Sequence, residues 1–172
     1  LQPLASHFED VFRNNVFAYR DFHGCDIAIL SLTEQFKKEL DNHKVISLVS
    51  MDLSKAFDTL LHDLHVKKLE DYGGDSKVIN LVTNYLSDRQ QRVRLTGQHS
   101  SMKTRIKGVP HGSILGPILF NIFMNDVSYA MNECTVFTYA DDTQLFKSAK
   151  NIDQLAISAD LKRLMSGLNS TK

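Results

Sequence analysis

Cysteine is almost absent from the chain. Its 172 residues contain only Cys25 and Cys134, which have no motif spacing. That leaves no basis for a disulfide or zinc framework, and a buried or free thiol in a reducing compartment is the default. Net charge is also absent, because 20 Lys and Arg balance 20 Asp and Glu. No global basic field therefore advertises nucleic acid, and any such contact needs a local surface. Long apolar runs are missing. The most apolar stretch, Ile114 to Met124, is interrupted by Gly116, Pro117 and Asn121 and falls short of the roughly 20 residues a bilayer helix needs. Gly108, Gly112 and Gly116 recur every four residues, but a membrane dimer motif requires an apolar span around them. No targeting signal, repeat, low-complexity tract or linker stands out. Acidic residues vanish between Arg89 and Asn125, where Arg89, Arg92, Arg94, Lys103, Arg105 and Lys107 lie. Taken alone, that stretch reads as a solvated hairpin.

The 42% hydrophobic content supports a core, and the length suits one domain or part of a larger one. A first residue of Leu1 rather than Met, and a last segment that stops in a helical pattern, read as a fragment of a longer protein.

Periodicity predicts a helix over 26–40, with Ile29, Leu32, Phe36 and Leu40 on one face. The near-continuous run Val45, Ile46, Leu48, Val49 and Met51 predicts a central strand over 44–52, covered on both faces. Helices follow over 62–71 and from Asp75 or Ser76 to Leu86, separated by Tyr72-Gly73-Gly74. Strands over 89–95 and 102–107, joined by Thr96-Gly97-Gln98-His99, predict a basic hairpin. A long helix is expected from Gly112 to about Met131, then strands over 134–140 and 143–147. A final helix is expected over 151–168, its apolar side formed by Ile152, Leu155, Ile157, Leu161, Leu164 and Leu168. The class is α+β, a small antiparallel sheet backed by helices.

Three motifs carry the chemistry. Asp52 ends the apolar strand, and Asp141-Asp142 occupies a tight turn between two strands. If the first strand lies beside that hairpin, Asp52 meets Asp141 across the sheet face. Such carboxylates repel unless cations hold them. Two Mg²⁺ ions about 3.5–4 Å apart would do so and would clamp an in-line phosphoryl displacement. Between Asp52 and Phe57 the chain turns away, so the backbone of Leu53, Ser54, Lys55 and Ala56 could cradle a triphosphate. Phe57 could lie under a sugar, although core packing is the commoner fate of a Phe. Gly108-Val109-Pro110-His111-Gly112 forms a tight turn into a helix N-terminus, which favours phosphate. An ordinary cap at Ser113 would account for part of it. His62 and His65, one helical turn apart and without a third ligand, read as a surface pair rather than a zinc site.

Taken in order, Asp52-Leu53-Ser54-Lys55-Ala56-Phe57-Asp58, Gly108 to Pro117 and Tyr139-Ala140-Asp141-Asp142 resemble the reverse transcriptase domain of non-LTR (LINE-like) retrotransposons. Tyr19-Arg20, Tyr85 to Arg89 and Asn125-Asp126 are weaker echoes of the same family. The resemblance implies a fingers–palm portion of a right-hand polymerase. Residues 1–43 would be fingers-like, 44–172 mainly palm with the basic hairpin at 89–107, and the thumb would be missing. It implies Asp52, Asp141 and Asp142 as catalytic, metal-binding carboxylates, with Mg²⁺ as the cofactor and Mn²⁺ an admissible substitute. Phe57 would exclude a 2′-hydroxyl. Pro110, His111 and Gly112 would line the nucleotide and template, and Tyr139 and Ala140 the primer end. The hairpin residues Arg89, Arg92, Arg94, Lys103, Arg105 and Lys107 would grip nucleic-acid backbone. The implied partners are an RNA template, a DNA primer and dNTP, with no membrane and no indication of oligomeric state. The expected location is intracellular, nucleus and cytoplasm.

The competing readings are a catalytically inert, truncated remnant that binds nucleic acid or protein, and a related intron maturase or RNA-copying RNA polymerase. Phe57 argues against ribonucleotide use. Two departures from the family pattern stand out: His111 where Gln is usual, and Leu61 where a polar residue is more usual. Gln donates and accepts through one amide, whereas His⁺ only donates. Exchanging His111 for Gln is therefore expected to change nucleotide KM and its pH response, as read by primer extension. Identical profiles would show that the position does not touch the nucleotide.

Overall fold

The computed structural model describes residues 8–53, 55–110 and 112–169. Ser54 and His111, two of the expected pocket residues, lie outside them, as does the Leu168 side chain. The chain runs α1 (Cys25–Asp41), β1 (Val45–Asp52), α2 (Ala56–Thr59), α3 (His62–Asp71) and α4 (Ser76–Leu86). Four two-residue strands follow: β2 (Gln90–Gln91), β3 (Arg94–Leu95), β4 (Gln98–His99) and β5 (Lys103–Thr104). It ends with α5 (Leu115–Met124), β6 (Thr135–Tyr139), β7 (Asp142–Ala149) and α6 (Ser158–Asn169). The expected mixture of helices and small antiparallel sheet is what forms. Among the described residues, no helix is long and apolar enough to cross a membrane.

The main sheet has the order β1-β7-β6, both pairings antiparallel. β7, not β1, is therefore central. β1 stands at an edge among the described residues and leaves Leu48 44% exposed. Its apolar run is divided between two half-covered faces. On one face Val49, Leu145 and Val136 fall in register and join a core with Leu119, Phe120 and Ile122 of α5, Leu69 of α3, and Val82 and Leu86 of α4. Each side chain fully buried there contributes about 1.5–3 kcal/mol. On the other face lies α1, where Phe36 packs against Phe146 with ring centroids 5.1 Å apart. No residue of α1 is buried, and Ile29 and Leu40 are 60% and 55% exposed. The expected stripe thus covers the sheet only at its middle, because α1 has the sheet on one side and none of the core on the other.

Helix α3 and α4 form as expected, with Asp75 accepting from the backbone N–H of Lys77. α5 ends with its apolar run at Met124, short of the expected Met131. Asn125 turns its amide inward, accepting from Arg13 N–H at 2.9 Å and donating to Val11 O and Tyr72 Oη. The chain then tightens into a 3₁₀ turn, Val127–Ala130. In the basic hairpin Thr96 and Gly97, at φ +47° and +82°, form a two-residue turn, so Gln98 and His99 pair as strand. Ser100, Ser101 and Met102 then oppose only Arg92 and Val93, a bulge that divides the ladder. His65 is no surface residue. It is 1% exposed, stacked on Phe123, with Nε2 2.7 Å from Leu119 O. Burial lowers its pKa.

The last expected helix is split. A 3₁₀ turn, Ile152–Gln154, leaves Ile152 76% exposed, and among the described side chains of the expected stripe only Ile157, Leu161 and Leu164 reach the core. Asp160 anchors α6 instead. Its carboxylate, 2% exposed, accepts from the N–H groups of Asn132 (3.3 Å), Glu133 (2.9 Å) and Cys134 (2.9 Å), and pairs with Arg163. Burial alone would raise its pKa, but these donors hold it down at about 2. Burial, with Asp160 beside it, pushes the Cys134 thiol up to about 12. Because the folded pKa of Asp160 lies below its ordinary value, its contribution is complete above that value and is lost as pH falls toward about 2. Asp160→Asn, which sets an amide against three backbone donors, should cost about 1–3 kcal/mol. It should also flatten the acid limb of stability, as measured by urea unfolding between pH 2 and 6; an unchanged limb would show that the cap carries no charge-dependent stability.

Candidate active site

Register brings the first and third motifs together. Asp52 is the cross-strand partner of Asp142, which is also the partner of Tyr139. The partner of Asp52 is thus Asp142 rather than Asp141, because β1 pairs with β7 and not with the turn. Directly opposed residues share a face, so Asp52, Asp142 and Tyr139 stand on the α1 side. There Tyr139 and Asp142 also line a cavity of about 190 Å³ with Cys25 and Leu32. Asp141 sits in the two-residue turn beside Ala140, whose φ of +54° is unusual for a residue with a side chain. Among the described residues, no Lys, Arg or His pairs with Asp52, Asp141 or Asp142.

After Asp52 the chain folds back sharply. Ala56 N–H donates to Leu53 O and Asp58 N–H to Lys55 O, with Lys55 at φ +56° and exposed. The Ala56 N–H is thus already engaged within the turn. Ala56 is buried. Phe57, half-buried, stacks on the buried ring of Phe120 at 4.5 Å.

The glycine turn is pinned to this block. Gly108 N–H donates to Leu60 O at 2.7 Å and Val109 N–H to Phe57 O at 2.9 Å, while His62 Nε2 lies 2.8 Å from Gly108 O. Gly108 (φ +84°) has no room for a side chain, since a Cβ would come within 2.8 Å of Asp58 O. Gly112 (φ +74°) is exposed and would meet nothing within 4 Å, so that approach is open. Pro110 is half-buried and accepts from Ser113 N–H, while Ser113 Oγ accepts from Gly116 N–H at the start of α5.

The basic residues are unequal. Arg105 pairs with Asp58 at 2.8 Å, tying the hairpin to the Phe57 block. Arg89 stacks over Tyr85 at 5.1 Å. Arg92, Arg94, Lys103 and Lys107 are exposed. Sequence reasoning left Tyr19 out of the site, although Tyr19-Arg20 carried a family echo. Its ring meets Phe57 edge-on at 6.4 Å. Partial burial raises its phenol pKa, with Asp141 and then Tyr139 adding to the rise. His62 was likewise read as a surface group.

Among the described residues no three His, Cys, Asp and Glu side chains converge enough to hold a metal ion. The donors available are the opposed pair Asp52 and Asp142 and the neighbouring turn residue Asp141. Like charges directly opposite each other are destabilising, and an all-oxygen set of few carboxylates suits Mg²⁺ completed by phosphate and water. In donor chemistry, though not as a converged three-ligand cluster among the described residues, they suit a divalent cation.

Residues 1–171 match the family model described as reverse transcriptase (RNA-dependent DNA polymerase), and the chain belongs to that family. It is 28% identical over 153 residues to the probable RNA-directed DNA polymerase from transposon BS of Drosophila melanogaster, covering 85% of this chain and 17% of that protein. It is 26% identical over 156 residues to the RNA-directed DNA polymerase from mobile element jockey of the same organism, covering 87% of this chain and 17% of that one. A type-1 retrotransposable element R2 polyprotein of Popillia japonica is 30% identical over 110 residues, 63% of this chain and 16% of its own. The chain thus spans less than a fifth of these relatives' length. In fold it is similar to apo telomerase from Candida tropicalis, with a TM-score of 0.63 and 14% identity over 99% of this chain and 36% of that one.

The His62 bond makes a local prediction. His62→Ala should cost about 1 kcal/mol and speed hydrogen exchange at the Gly108 and Val109 amides without lowering helix content by circular dichroism. Unchanged protection of both amides would show that His62 does not secure the turn.

Proposed function

We propose that this chain supplies the fingers–palm portion of a polymerase that performs RNA-directed DNA synthesis, adding a dNTP to a primer 3′-hydroxyl on an RNA template. Residues 1–43 would be fingers-like and 44–172 mainly palm, working inside the cell, in nucleus and cytoplasm. The observation that carries the reading is the register Asp52↔Asp142↔Tyr139, which sets two distant motifs on one sheet edge. The hydrogen bonds from Gly108 and Val109 to the Phe57–Leu60 segment bring the second motif, the glycine turn, to the Phe57 block.

In this reading Asp52, Asp141 and Asp142 would hold two Mg²⁺ ions, which would supply charge neutralisation for phosphoryl transfer. The chain's own residues position the reactants, since phosphoryl transfer depends mainly on alignment and electrostatics. The exposed Lys55, at the turn that follows Leu53, faces the triphosphate. Phe57 packs under the sugar and clashes with a 2′-hydroxyl. Pro110, His111 and Gly112 border the base and template, where the open side of Gly112 admits close approach. Tyr139 and Ala140 border the primer end. The exposed cations Arg89, Arg92, Arg94, Lys103 and Lys107, with the half-buried Arg105 beside them in sequence, meet backbone phosphate without reading sequence.

The test is Mg²⁺-dependent primer extension on an RNA template by the whole protein that carries this chain. Asp141→Asn should lower kcat by roughly a hundredfold or more, with primer–template binding largely retained. If wild type and variant bind equally and neither extends the primer, the inert binding remnant is the correct reading. Equal use of rNTP and dNTP would instead identify an RNA-synthesising relative.

A further inference from the structure

Phe57 is held from two sides. Phe120, 0% exposed, stacks beneath it with ring planes 19° apart. Tyr19 meets it nearly perpendicular, at 85°. A gate that rejects a 2′-hydroxyl by contact must be stiff, because a ring free to swing yields to the extra oxygen. Phe120 limits tilting toward the core, and the Tyr19 edge stands against another side of the ring.

Tyr19 is built to be that neighbour. Phe17 N–H donates to Thr138 O and Thr138 N–H to Asn15 O, both at 2.9 Å, which lays the segment along β6 and aims it at the Tyr139–Asp141 turn. Ala18 O accepts from the buried Asn121 amide at 2.6 Å. On the other flank the Arg20 guanidinium, 4% exposed, donates to Arg13 O and Val16 O and pairs with Glu9. Between these anchors Tyr19 is forced to φ +59°, a conformation a non-glycine residue keeps only when its surroundings over-determine it. Its side chain nonetheless stays 54% exposed. The fold thus fixes this backbone rigidly to present a ring that does not fill the core.

We propose that Tyr19 is a positioning residue for nucleotide selection: its ring edge buttresses Phe57 and thereby sets discrimination against ribonucleotides. This rests on the reading of Phe57 as the sugar-contacting residue. The contribution comes from the ring, so Tyr19→Phe preserves it and Tyr19→Ala removes it. Tyr19→Gly also removes the ring while relieving the left-handed backbone, which separates loss of the buttress from loss of folding.

The experiment compares kcat/KM for dNTP with kcat/KM for the matching rNTP in the whole protein, for wild type and these three variants. The ratio should fall about three- to tenfold in Tyr19→Ala and Tyr19→Gly, the range of an aromatic pair, and stay at the wild-type value in Tyr19→Phe. If wild type discriminates and the Ala and Gly variants discriminate equally well, the buttress proposal fails while the polymerase reading stands. A wild type that extends primers but does not discriminate, or that does not extend them at all, overturns the sugar-gate reading and this proposal with it. A loss in Tyr19→Phe as large as in Tyr19→Ala would assign the effect to the hydroxyl and overturn the buttress.

Discussion

The pairing of β7 with both its neighbours is the constraint on which the rest of the site depends. Side chains alternate faces with a period of two, so a one-residue slip of β1 against β7 would send Asp52 to the opposite side from Asp142. The register is held by burial. Val49, Leu145 and Val136 align on the core face, and the same pairing that buries them leaves Asp52, Asp142 and Tyr139 together at the far end. Two opposed carboxylates lower the stability of such a sheet. The apolar rows beneath α5 hold them in place all the same.

Around that edge the remaining groups are secured by contacts between segments distant in sequence. The Phe57 block receives the Gly108 and Val109 N–H groups, His62 reaches Gly108 O, and Arg105 reaches Asp58. Phe57 lies between Phe120 and Tyr19. Backbone conformations that cost energy cluster here, with Tyr19, Lys55 and Ala140 all at positive φ. Such strain persists where packing and hydrogen bonds leave no alternative, and a site made this way is pre-organised.

Charge follows a similar division. The chain is neutral overall, yet the hairpin presents exposed cations on a divided ladder that carries almost no core. A surface that must track a polyanion gains from such local charge. One cation, Arg105, is turned inward to join the hairpin to the pocket block.

Much of this was legible in the residues themselves. Caps and breakers marked α3 and α4, where Asp75 and Gly73-Gly74 act locally. The three motifs are unusual in combination, and the family they resemble is the one to which the chain belongs. The failures share a cause. A nearly continuous apolar strand does not tell how many neighbours it will have, so β1 read as central. An apolar stripe does not tell whether a core exists to receive it, so α1 read as more buried than it is. His65 read as a surface residue, because its burial, like that of Asp160 and Asn125, depends on carbonyl and N–H groups supplied from elsewhere in the chain. Sequence alone therefore determined the family to which the chain belongs and most local turns, since motifs and turns depend on neighbouring residues. Tertiary structure decided that Asp52 faces Asp142 and that Tyr19 reaches Phe57, because strand register and long-range packing are properties of the whole core.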